Sequence, residues 1–186
     1  MMKELNLPSL KKIEVGINNI IEVNMVDDNH FYPLWHFHPQ YEIMHIKQSI
    51  GNRYVGDNVS TFSAGDILFF GPNIPHLLRN YREYFAKDST KRAKATVLYF
   101  SEEFTKIDFF SLNELMHIKK LLNLSSRGLL IQGEASKKVG LMIIRFIKKK
   151  GFYRLLEFIK MLHFISMEVK FSFLSSEGFN MKIDDN

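Results

Sequence analysis

Three residues, His36, His38 and Glu42, constrain this chain more than any other feature. Successive side chains of a strand point to opposite faces, so residues an even number apart share one face. The steps between these three are even. An extended backbone from Leu34 to Glu42 would project two imidazoles and a carboxylate to the same side. A second apolar run, Ile67 to Phe70, follows Gly65 and leads through Pro72 and Pro75 to His76. Two such strands facing across a small barrel would bring three imidazoles and one carboxylate together. That set suits a divalent metal, or the polar floor of a small-ligand pocket. Spacing alone leaves both open. Pro39 works against the simplest geometry. It cannot donate to a strand ladder and often marks an edge or bulge, and a bulge would change the facing of Glu42 relative to the two histidines.

The first hundred residues read as short strands. Ile13 to Met25 alternates in part, as one or two strands, and Asp27-Asp28-Asn29 is a turn signal. Tyr41 to Ile50 places Glu42, Met44, Ile46 and Gln48 on one face and His45, as a structural residue, on the other. Gly51-Asn52 reads as a turn, Arg53 to Val55 as a strand, and Gly56-Asp57-Asn58 as another turn. Val59 to Phe62, Asp66 to Phe70 and Ala93 to Phe100 complete the set, with Tyr81 to Lys91 a polar loop. Strands and turns at this spacing argue for an antiparallel barrel or sandwich. Ile67 to Phe70 is apolar on both faces, so something must cover its outside. Trp35, the only tryptophan, adjoins the histidines and suits a pocket mouth, an interface or plain core. Arg53 or Tyr54 could reach an anionic or sugar-like ligand, although most strand arginines face water.

The pattern then turns helical. Ser111 or Asn113 can cap a helix carrying Leu115, Ile118, Leu121 and Leu122, which Arg127-Gly128 closes. Leu129 to Ile131 reads as a strand returning to the barrel. Val139, Met142, Ile143, Phe146 and Ile147 recur at helical spacing within a helix that ends at Lys149. Gly151 stops it, and the three lysines before Gly151 suit a helix C-terminus. A second helix runs from about Phe152 to Met167, so the pair forms a hairpin. Its wide apolar surface predicts a homodimer, with Phe146, Leu155, Ile159 and Leu162 as contacts. The division is a barrel over 1–108, helices over 109–174, and the start of a linker over 175–186.

At 186 residues, with 46% hydrophobic content, the chain is one domain, or one domain with an appendage. Without cysteine it has no disulfide framework. No stretch approaches the roughly 18 apolar residues that span a membrane, and the N-terminus lacks a signal-peptide run. The expected location is the cytoplasm. The net charge is +5, and residues 101–186 hold 14 basic against 10 acidic side chains. That excess is compatible with lying near nucleic acid and equally with a solvated face. No nucleophile elbow, P-loop or dinucleotide fingerprint is present. Any catalysis would have to run through His36, His38, Glu42 and His76.

These motifs resemble the cupin superfamily. His36, His38 and Glu42 stand at the spacing of the first cupin motif, with His30 where its first glycine would be and Gly51 late. Gly65, His76 and Asn80 match the second, with Gly71 and Asn73 where proline and glycine are expected. The wording from Gly65 to His76, followed by a helical half, is most similar to the sensor domains of AraC-type transcription regulators. The resemblance implies a mainly β fold with an α-helical appendage: a cupin-like double-stranded β-barrel, or jelly roll, followed by a helical hairpin. It implies a barrel that binds a small-molecule effector, such as a sugar or other metabolite, and a hairpin that makes dimer contacts. DNA would be read only by a separate C-terminal domain with two helix-turn-helix units, absent from this chain. The expected ligand-binding residues are His36, His38, Glu42, His76, Trp35 and Arg53. The divalent-metal option falls on His36, His38, Glu42 and His76. The reading is of a sensor and not an enzyme. The rivals are a metal-dependent cupin oxygenase or isomerase and a cupin used only for protein interaction.

Overall fold

Strands apolar on both faces need a layer on each side, and the architecture supplies both. The computed structural model describes residues 8–12, 21–101 and 112–179. Among them are the strands β1 (Ser9–Leu10), β2 (Ile21–Asp28), β3 (His36–Phe37), β4 (Tyr41–Gln48), β5 (Gly51–Val55) and β6 (Asn58–Phe62). Then come β7 (Ile67–Phe70), β8 (His76–Asn80), β9 (Ala93–Phe100), β10 (Leu129–Ile131) and β11 (Ser172–Phe173). The α-helices are α1 (Met116–Leu124), α2 (Gly133–Ile147) and α3 (Gly151–Glu168). A five-stranded sheet in the order β1-β3-β8-β5-β6 faces a six-stranded sheet in the order β11-β10-β7-β4-β9-β2. All pairings are antiparallel except that of β1 with β3. The result is a cupin-like double-stranded barrel with a helical part.

Two apolar cores follow from strand alternation. Inside the barrel lie Met44, Ile46, Val55, Phe62, Leu68, Phe70, Leu78 and Val97. Outside the six-stranded sheet, Tyr41, Ile43, Ile67, Phe69, Leu98 and Phe100 pack against Ile118, Leu121, Val139, Ile143, Phe146, Phe158, Leu162 and Ile165 of the helices. Helix α2 lies close against the sheet at Gly140, where a Cβ would lie 2.7 Å from Cε1 of His45. His45 thus packs between sheet and helix, with its pKa lowered by burial and then by Lys47.

Several sequence readings change. Asp27 and Asp28 belong to β2, paired with Lys94 and Ala93 of β9. Ion pairs from Asp27 to Arg92 and Lys94 tie this end of the ladder down. Gly51 and Asn52 are ladder residues of β5 opposite Phe62 and Thr61, so the bend falls before them. Ser175 to Phe179 is no free linker start: Ser175 is buried and hydrogen-bonded to Arg127. The strand expected from Ile13 lies partly outside the described residues, as do Ser111 and the end of the proposed linker. Phe146 and Leu162, expected at a dimer surface, are fully buried inside the chain. Leu155 and Ile159 are partly buried against the same core. Helical spacing identifies an apolar stripe, but the six-stranded sheet uses it up. The exposed large apolar residues of α2 are Leu141, 58% exposed, and Ile144, 41% exposed, among charged side chains such as Lys137, Lys138 and Arg145. Among the described residues, no helix is long and apolar enough to cross a membrane.

Candidate ligand and metal site

The polar centre is built from two cross-strand pairs, one on each sheet. In the five-stranded sheet His36 of β3 stands opposite His76 of β8. In the six-stranded sheet Glu42 of β4 stands opposite Tyr99 of β9. Residues directly opposite share a face, so each pair points into the barrel. His38 lies in the bend that carries the chain from β3 to β4. The even spacing of His36, His38 and Glu42 therefore does not describe one extended strand. The strand breaks at Pro39-Gln40, and the chain crosses from one sheet to the other. The residues converge because the two sheets face each other.

All three imidazoles are anchored alike. Nδ1 of His36 lies 2.8 Å from the Leu34 carbonyl, Nδ1 of His38 lies 3.1 Å from that of Gln40, and Nδ1 of His76 lies 2.9 Å from that of Ile74. A carbonyl oxygen only accepts, so each Nδ1 donates and a neutral ring is left with its lone pair on Nε2. Anchoring through the second nitrogen is the arrangement of metal-ligating histidines. The rings are held further by contact: Phe70 stacks on His76 at 4.4 Å, and Tyr32 meets His36 edge-on at 5.0 Å.

Glu42 supplies the negative charge. Its Oε2 lies 3.0 Å from Nε2 of His38 and 3.5 Å from Nε2 of His76. Burial alone would raise the Glu42 carboxyl, but its contacts with the His38 and His76 rings hold it well below the usual carboxylate range. Burial, and then His76 beside it, pushes His36 down to about 3, so that ring is neutral. The Tyr99 hydroxyl is pushed up by burial and by Glu42 and keeps its proton. An ionised carboxylate facing ring lone pairs calls for a cation between them, either a proton on a ring or a metal ion. The donor set fits a metal. The ligand atoms of His36, His38 and His76 lie within 4.8 Å of one another, and Nε2 of His76 is buried without a hydrogen-bond partner. Glu42 falls outside that mutual set and touches two of its members.

A cavity of about 430 Å³ opens over this centre. His36, Glu42, His76 and Tyr99 line its polar end, while Phe31, Met44, Leu78 and Val97 line apolar walls. Lys11, Asp28, Asn29, His30 and Tyr32 also line it, and the Lys11 ammonium sits 4.4 Å over the Tyr32 ring. Burial lowers the Lys11 pKa, against an opposing pull from Glu42.

Of the six residues expected to line a pocket, the structure brings His36, Glu42 and His76 to the cavity and sets His38 beside them. Trp35 and Arg53 are corrections. Trp35 is part-exposed and does not line the cavity, because odd spacing from His36 turns it away. Arg53 faces inward but is occupied: it donates from Nε to Ser60 and pairs with Asp66 at 3.6 Å. Tyr99 and Lys11 were not singled out in the sequence. Alternation in Ala93 to Phe100 could have put Tyr99 on the inner face, whereas nothing local marks Lys11.

No protein-family model matches the sequence, and no curated protein does either. Solved structures do. ToxT from Vibrio cholerae, at 1.65 Å resolution, matches over 90% of this chain with 16% identity and a TM-score of 0.53. The match spans 61% of that protein, so this chain corresponds to part of its length. Another ToxT structure, with an unsaturated fatty acid bound, matches over 81% of this chain and 54% of that one, with 18% identity and a TM-score of 0.47. A cupin 2 conserved barrel domain protein from Rhodopseudomonas palustris matches over 48% of this chain and 57% of that one, with 19% identity and a TM-score of 0.36. The AraC-like transcriptional activator CuxR covers 69% of this chain and 40% of its own, with 10% identity and a TM-score of 0.38. This chain therefore has the fold shared with ToxT: a cupin-like β-barrel with helices packed on one of its sheets.

Proposed function

We propose that this chain is the small-molecule-sensing region of an AraC-type transcription regulator, with its sensing centre at His36, His38 and His76. One observation carries the reading. Three anchored imidazoles bring their ligand atoms within 4.8 Å of one another beside a 430 Å³ cavity, a volume within the range that holds a small organic ligand. His36, His38 and His76 would hold a divalent metal, with Glu42 balancing its charge. Such an ion would offer a Lewis-acidic contact to a ligand oxygen. The protein's own groups do the rest. Tyr99 presents a protonated hydroxyl, and Met44, Leu78 and Val97 exclude water from the ligand's body. Dimerisation, on this reading, uses the outward face of α2 at Leu141 and Ile144. DNA contact belongs to helix-turn-helix units beyond these residues.

A second reading, a metal-dependent enzyme acting on a small molecule, is favoured by Glu42 and Tyr99 together, since an ionised carboxylate and a protonated hydroxyl both line the cavity and could hydrogen-bond to a substrate. The tests separate the two. Zinc titrated into chelator-treated protein should bind at one ion per chain, and His76→Ala should abolish that binding. Failure of the wild type to bind would overturn the metal centre. In a full-length regulator, Glu42→Ala should weaken the effector response of a reporter and leave dimerisation intact. Substrate turnover by the purified protein, lost in the same variant without a reporter phenotype, would favour the enzyme.

A further inference from the structure

Behind the histidine centre, the segment after α3 folds back onto the barrel. β11 pairs with β10, the Leu174 N–H donates to the Gly128 carbonyl at 2.9 Å, and the Ser175 N–H donates to that of Arg127 at 2.9 Å. Leu174 is buried in the inner core that also holds Val55 and Phe70. The Ser176 N–H donates to Oδ1 of Asp57 at 2.9 Å. At Gly56, where φ is +55°, a Cβ would lie 2.9 Å from Cβ of Ser175 and 3.0 Å from Phe179, so the β5–β6 turn and this segment are in close contact.

The same turn reaches the centre from the other side. The Gly56 N–H donates to the Pro75 carbonyl at 2.9 Å, one residue before His76. Val55 stands opposite His76 in the β5–β8 ladder. His76 is the ring whose Nε2 lacks a hydrogen-bond partner and which Phe70 backs. One short path of packed groups thus runs from the His76 ring to the returning segment. That short segment is held by two ladder residues, by buried Leu174 and Ser175, by hydrogen bonds with Arg127, by the Arg127 guanidinium 3.9 Å over the Phe173 ring and by Phe179 against the inner core, a set of contacts that can form or release together.

We propose that residues 172–179 form a latch, whose docking on the β5–β6 turn is coupled to occupancy of the histidine centre. This rests on the reading of that centre as a metal site. Filling the centre fixes His76, fixes the turn through Pro75 and Val55, and tightens the latch. Coupling between two sites is reciprocal, so loosening the latch must weaken occupancy.

The test uses zinc alone and the whole chain. Hydrogen exchange at the amides of Leu174, Ser175 and Ser176 should slow about fivefold or more when zinc saturates the protein. Asp57→Ala removes an exposed acceptor without touching the core. It should speed those amides and weaken zinc binding by a similar factor. Leu174→Ala should do so more strongly if it folds. Zinc that binds, is lost in His76→Ala and leaves the three amides unchanged would overturn the latch and leave the metal reading standing. No zinc binding at all would overturn both.

Discussion

The two faces of the six-stranded sheet are made from alternate residues of the same strands, and they do opposite work. Outward, Ile43, Phe69, Leu98 and Phe100 meet the helices, and Tyr41 stacks on Phe100 at 4.8 Å. Inward, Met44, Phe70 and Val97 share the barrel with Glu42 and Tyr99. Under the helices the outer layer is aromatic and aliphatic apart from His45 and the buried Thr96 opposite it. The inner layer is filled at one end and left open over charged and titratable groups at the other. A single-residue slip would exchange the two sets, so the outer core fixes the register that the inner site depends on.

The largest expected effect breaks the outer face. Phe158 is fully buried and meets Phe100 edge-on at 5.0 Å and Phe146 at 5.8 Å. Phe158→Ala should cost about 3–5 kcal/mol in denaturant unfolding, while protein that remains folded keeps the zinc affinity of the wild type. Weakened binding in folded protein would mean that the two faces are not separable.

Next comes the inner face and its pH dependence. The folded pKa of His36 falls from 6.5 to about 3. Between those values the unfolded chain binds a proton that the folded chain refuses, so stability falls as pH drops. The slope approaches ~1.4 kcal/mol per pH unit. Glu42, with its folded pKa below 4.5, adds a loss only as pH falls below that value, so the two groups separate. Denaturation of chelator-treated protein from pH 7 to 5 should show the slope, and His36→Phe should flatten it. His45, also lowered by burial, keeps it from vanishing. An unchanged slope in the variant would assign the effect elsewhere.

The smallest effect on stability sharpens the comparison from outside. Leu141→Glu alters only the exposed side of α2 and should change stability by about 0.5 kcal/mol or less. On the proposed dimer face it should still shift sedimentation from dimer to monomer. A dimer that survives would place the interface on another surface.

Much of this was legible in the residues. Turn signals and alternation indicated an antiparallel barrel or sandwich, and the resemblance to the two cupin motifs selected the barrel and grouped His36, His38, Glu42 and His76. The route to it was not legible. Even spacing suggested one straight strand, whereas Pro39 ends the ladder and the chain changes sheets. Gly51-Asn52 looked like a turn because composition cannot separate a glycine in a bend from one facing a neighbouring strand. Phe146 and Leu162 were placed on the surface because a helical stripe names the apolar side and not what covers it. Lys11 was invisible because its position depends on a parallel pairing of β1 with β3.

The change of sheet at Pro39 has a mechanical consequence. His36 and His76 ride on one sheet and Glu42 on the other, so the gap between ring nitrogen and carboxylate measures how far the sheets have slid past each other. On the metal reading, a cation held by His36 and His76 would attract Glu42 from the opposite sheet, so that its loss would ease sliding of one sheet past the other more than bending within either.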